Sequence, residues 1–98
     1  MTESIGDKRK ELFETFLKLK TVEDCEEFFS DLCTYKEIDC MVQRLDAAKL
    51  LLAGETYEKI ISETNISSTT LSRVSRCVKH GSGYKKFLSN DEKDNGSN

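Results

Sequence analysis

Residues 56–74 read TYEKIISETNISSTTLSRV, and the spacing of their apolar positions points to a pair of short crossed helices. Ile60, Ile66, Leu71 and Val74 recur at intervals that let two short helices pack across one turn, with Ile61 beside the first of them. Thr56 is placed to cap the first helix and Ser67 the second, because a hydroxyl can accept the N–H groups left unpaired at a helix start. Asn65 stands at the turn, where the left-handed backbone region is needed and asparagine tolerates it. The spacing therefore predicts a helix-turn-helix over 56–79. One position departs from the usual pattern: Ile61 stands where close-crossing helices commonly have alanine or glycine. Either the crossing is wider, or Ile61 packs sideways into the preceding long helix.

On either side of the motif, helix periodicity dominates and no proline interrupts it. Upstream, Ile38, Met41, Val42, Leu45, Ala48, Leu51 and Leu52 repeat at spacings of three and four, which predicts a long central helix stopped by Gly54. Thr34 opens it in T-Y-K-E, and Thr21 opens a shorter helix in T-V-E-D, both resembling capping boxes. That shorter helix has Phe28, Phe29 and Leu32 on its apolar side. A first helix over 7–18 gathers Leu12, Phe13, Phe16 and Leu17, with Leu19 beyond it. Downstream, Gly81 and Gly83 should break the second motif helix, leaving Tyr84 to Leu88 as a last short helix anchored by Phe87 and Leu88. The expectation is an all-α fold of about six helices. It has a frayed segment at 1–6, one domain at 7–88, and a disordered tail at 89–98, SNDEKDNGSN, which has no apolar residue.

The chain has 98 residues, 37% hydrophobic and 34% charged, enough for one modest core. No apolar run approaches a membrane span, and the opening residues MTESIGDKRK lack the apolar centre of a secretory signal, so a cytoplasmic protein is expected. The net charge of −3 is unevenly divided. Residues 1–55 carry 8 Lys/Arg against 13 Asp/Glu, residues 56–88 carry 6 against 2 plus His80, and residues 89–98 carry 1 against 3. Positive charge thus gathers on the motif, as phosphate neutralisation requires. Cys25, Cys33, Cys40 and Cys77 form no C-x-x-C pair and have a single histidine for company, so no metal site and no disulfide framework is expected. No nucleophile–base pair or phosphate loop is visible, and an enzyme is not expected.

The outer face of the second motif helix carries the chemistry. Ser67, Ser68, Thr69, Thr70 and Ser72 offer hydroxyls that both donate and accept, and the threonine methyls can touch the methyl of thymine. Arg73 can make a bidentate contact to guanine, while Arg76 and Lys79 are placed for phosphates. Lys59 on the first motif helix can meet the backbone as that helix crosses it. A Ser/Thr-rich helix start is also simply a good cap, and Ser67 is expected to serve that role in any case.

The span from about Thr21 to Leu88 resembles the Trp repressor family, closest to its YerC/YecD-like branch. The matching stretches are T-Y-K-E at Thr34, QRLDAAKLLLAGETY in the long helix, and NISSTTLSRVSRCVKHGSGYKKFL. The resemblance implies an intertwined homodimer that represses transcription from a pseudo-palindromic operator in double-stranded DNA, with reading helices one DNA turn apart. It also places Thr34, Arg44 and Arg73 where that family binds its amino-acid corepressor, between the long helix and the recognition helix. Val74, however, follows Arg73 where the tryptophan-binding members have glycine. The loop after Gly54 is also one residue shorter. A valine side chain fills the room an indole needs, which argues against tryptophan. No cofactor is expected, and another small-molecule corepressor is left open. Arg44 has a plainer alternative in a surface salt bridge. For the whole chain, the alternative to a DNA-binding regulator is a protein-interaction module that keeps the fold without reading DNA.

Overall fold

The computed structural model describes residues 4–88. The described residues contain six α-helices and no strand: α1 (Ile5–Phe16), α2 (Val22–Leu32), α3 (Tyr35–Leu52), α4 (Tyr57–Thr64), α5 (Ser68–His80) and α6 (Gly83–Leu88). They divide into two compact units, 1–35 and 36–98, where the sequence suggested one domain over 7–88.

The first unit starts earlier than periodicity predicts. Ser4 and Asp7 form a reciprocal capping box: the Asp7 N–H donates to Ser4 Oγ at 3.1 Å, and the Ser4 N–H to Asp7 Oδ2 at 3.4 Å. Residues 4–6 are therefore not frayed; residues 1–3, like the tail at 89–98, lie outside the described residues. Helix α1 ends at Phe16 rather than 18, as the Lys18 and Leu19 N–H groups turn back to the carbonyls of Thr15 and Phe16. At α2, Thr21 caps by accepting the Asp24 N–H at 3.0 Å, but Asp24 Oδ2 accepts from the Lys20 N–H instead of closing a box on Thr21. Phe13, Phe16, Phe28 and Phe29 cluster between the two helices, with Phe16 and Phe29 stacked at 5.1 Å between ring centroids. Even so, no residue of α1 or α2 is fully buried.

The second unit holds that core: Ala47 and Ala48 of α3, Ile60 of α4, Ile66 of the turn, and Leu71, Val74 and Val78 of α5. Fully burying side chains such as Ile60 and Leu71 is worth about 1.5–3 kcal/mol each. Leu50, Leu51, Leu52, Tyr84 and Leu88 pack against it from α3 and α6. Phe87, expected as an anchor, is 71% exposed; Tyr84 takes its place. Gly54 stops α3 as predicted. Its φ of 87° lets the Glu55 N–H reach the Leu50 carbonyl and its own N–H reach that of Leu51, the paired bonds of a Schellman cap.

Candidate nucleic-acid interface

The predicted two-helix motif is present with its caps. Thr56 accepts the Lys59 N–H at 3.2 Å at the start of α4, and Asn65 ends that helix in the left-handed region, at φ 62°. It is the one non-glycine with positive φ among the described residues. The turn is braced twice. Thr64 Oγ1 donates to the Ile60 carbonyl and accepts the Ile66 N–H, while Gln43 of α3 donates its Nε2 to the Thr64 carbonyl at 3.0 Å. Ile61, the atypical residue, is exposed and outside the core, so the crossing is made by Ile60, Ile66, Leu71 and Val74 without it.

Helix α5 divides its circumference sharply. At about 100° per residue, positions 68, 69, 72, 73, 76, 79 and 80 fall within an arc of about 140°. All seven are exposed: Ser68, Thr69, Ser72, Arg73, Arg76, Lys79 and His80. Leu71, Val74, Ser75 and Val78 are buried on the far side, spanning about 100°. The sequence marked Ser67 as the cap but left Thr70 among the outward hydroxyls, and the structure separates them. Ser67 Oγ accepts the Thr70 N–H at 3.1 Å and donates to Thr70 Oγ1 at 2.9 Å. Those two hydroxyls are committed to the cap. Ser68, Thr69 and Ser72 project outward with the arginines.

Lys59 is exposed but flanked by Glu55 at 3.5 Å and Glu63 at 3.9 Å, each one helical turn away. Such exposed pairs hold little energy, yet the two carboxylates offset its charge. By contrast, Arg73, Arg76 and Lys79 of α5 lie in a run, residues 64–90, that contains no Asp or Glu. Of the other anticipated residues, Thr34 lies in the first unit, directly before α3, and Arg44 is exposed on α3. No ion pair to Arg44 or Arg73 occurs among the described residues, so the salt bridge offered as the alternative for Arg44 is not formed there. Val74 is 2% exposed and part of the core.

Sequence reasoning missed Gln43, whose polar side chain on an amphipathic helix gave no sign of reaching the turn. It also missed the α5–α6 corner, where Lys85 Nζ donates to the Lys79 carbonyl at 3.2 Å. The long acid-free run was the available signal for that corner.

A family model described as Trp repressor protein matches residues 7–92. The chain belongs to the Trp repressor family. Within it the chain falls in the YerC-like branch: the uncharacterized protein YerC of Bacillus subtilis (strain 168) is 47% identical over 76 residues, covering 78% of this chain and 73% of YerC. A TrpR-like protein from Eubacterium eligens ATCC 27750 superposes with a TM-score of 0.80 at 36% identity, over 85% of this chain and 87% of its own. A candidate Trp repressor from Staphylococcus aureus does so with a TM-score of 0.82 at 36% identity, over 99% and 100%. The Trp repressor family is one of DNA-binding regulators and not of enzymes. The described residues contain no helix long and apolar enough to cross a membrane.

Proposed function

We propose that this protein is a sequence-specific transcriptional repressor that binds double-stranded DNA as a homodimer, laying α5 into the major groove. The observation that carries the reading is the division of α5 into a buried apolar arc and an outward arc of hydroxyls and cations. Ser68, Thr69 and Ser72 meet base edges there, Arg73 takes a guanine, and Arg76 and Lys79 take phosphates. The first turn of α5 carries no acid, which leaves its positive dipole end open to a phosphate. Lys59 contributes less, because Glu55 and Glu63 compete for it.

Dimerisation is supported by apolar surface that this chain leaves in water. Ile5, Phe13, Leu17 and Val22 of the first unit are more than half exposed, as is half of Val42 on α3. A second copy covering these faces would recover the burial that α1 and α2 lack. For an effector, the exposed Arg44 and Arg73 suit a carboxylate. Val74, already packed in the core, supports operator binding that does not depend on tryptophan.

Selection of bound duplexes from a random pool, with and without an amino-acid mixture, tests the reading. It should return a palindromic motif whose affinity falls steeply with salt, unchanged by tryptophan. Arg73→Ala should cost about 1–3 kcal/mol on the selected site and relax preference at one base position. Recovery of no motif, together with salt-insensitive retention, would leave a protein-interaction module as the better description.

A further inference from the structure

We propose that Gln43 is a positioning residue for DNA reading. Its amide fixes the angle at which α3 presents the two-helix motif, and so the aim of α5. That role rests on the DNA-binding reading and adds to it a residue that touches neither base nor phosphate.

Thr64 is the node of the turn. Its Oγ1 donates to the Ile60 carbonyl at 2.8 Å and accepts the Ile66 N–H at 3.2 Å. Both bonds are local, so they hold the motif's own shape and would travel with it. The Thr64 carbonyl is one of the last of α4, which find no donor within their own helix. Gln43 Nε2 reaches it from 21 residues away at 3.0 Å and ties the turn to α3. What α3 gives the core, by contrast, is apolar: Ala47 and Ala48 are wholly buried, with Leu50, Leu51 and Leu52 further along. Gln43 and Ala47 stand four apart, on one stripe of the helix. Apolar contact is non-directional. A hydrogen bond needs its donor aimed at the acceptor, so the Gln43 amide supplies the direction that the apolar contacts lack. The lever is short but sensitive. Arg73 lies about 9 Å along the axis from the Ser67 cap, so a swing of about 10° at the turn moves it about 1.5 Å. The window of a base-edge hydrogen bond is about 0.5 Å wide.

The test titrates operator and random duplexes at several salt concentrations with wild type and with Gln43→Met, which keeps length and helix propensity but has no donor. Gln43→Glu, of the same shape with acceptors only, is the second variant and carries the test if the first does not fold. Both should lower the ratio of operator to random affinity about three- to tenfold, the worth of one hydrogen bond. In Gln43→Met the slope of log K against log salt should stay at the wild-type value, because no cation is removed. Gln43→Lys restores a donor and should recover the ratio. Thr56→Ala removes the α4 cap at a comparable loss of stability and should keep the ratio. An equal fall of the ratio in Thr56→Ala would reduce Gln43 to a general stabiliser and overturn the proposal. Wild-type ratios in both Gln43→Met and Gln43→Glu would overturn it while leaving the regulator reading intact. A wild-type protein that does not discriminate operator from random DNA would overturn both.

Discussion

Gly81 and Gly83 stand two positions apart and do different things. A Cβ built on Gly81 would sit 2.8 Å from the Cys77 carbonyl oxygen, closer than real Cβ atoms approach, and that oxygen is backbone and cannot swing aside. A Cβ on Gly83 meets nothing within 4 Å, and Gly83 opens α6. Gly81→Ala should therefore lower stability by about 1–3 kcal/mol, the range of a strained or overpacked site. Gly83→Ala should be neutral or stabilising by about 0.5–1 kcal/mol, since alanine is the better helix former. Paired thermal melts read the difference directly. The sequence showed two helix breakers here, and nothing in it distinguishes a glycine demanded by a neighbouring carbonyl from one merely tolerated. The same limit applies to Phe87. Its apolar character marked it as an anchor, but whether a ring faces inward in a six-residue helix depends on where α5 ends, and α5 runs one residue past Lys79.

At the scale of the element, α5 was the most legible part of the chain. Its cap, its length and its buried residues Leu71 and Val74 follow from local chemistry alone: a serine before a helical run, apolar positions three apart, and glycine at the end. The division of labour among its hydroxyls was legible only in part. Ser67 stood out as the cap, but Thr70 looks like Ser68 and Thr69 in sequence, and only the geometry of the first turn commits its hydroxyl to Ser67. Ser67→Ala should cost about 1 kcal/mol of stability, read by denaturant unfolding. Ser68→Ala and Ser72→Ala, exposed and outside the cap, should leave the unfolding midpoint within about 0.5 kcal/mol of wild type. Their effect should emerge instead in the base preferences of selected DNA. A large stability loss in either of the latter would show that the outward arc is misplaced. Ile61 teaches the complementary lesson. A one-residue departure from a motif's usual alphabet carries little weight when the crossing is already filled by four other side chains.

For the molecule as a whole, the sequence announced six helices because 3.6-residue periodicity and hydroxyl caps are local signals. It did not announce the division into two units, because burial is collective. Phe13, Leu17 and Val22 look like core residues by type, and only the structure shows that the chain leaves them in water. Leu17 is 82% exposed, so Leu17→Glu should not disturb a single folded chain. In a homodimer built on these faces it would bury an unpaired charge, at a cost of several kcal/mol. Sedimentation of the wild type should give twice the chain mass, and Leu17→Glu should shift it towards one chain with its helical spectrum retained. Equal sedimentation of the two would remove Leu17 from the interface.

The separation of duties around α5 has a practical corollary. Ser68, Thr69 and Ser72 take part in neither the cap, the core nor the braced turn, while Ser67, Thr70, Gln43 and the buried arc maintain the scaffold. Recognition can drift there without endangering folding. A library randomised at those three codons should yield soluble variants with new operators, so related regulators could diverge in their targets while sharing one chassis.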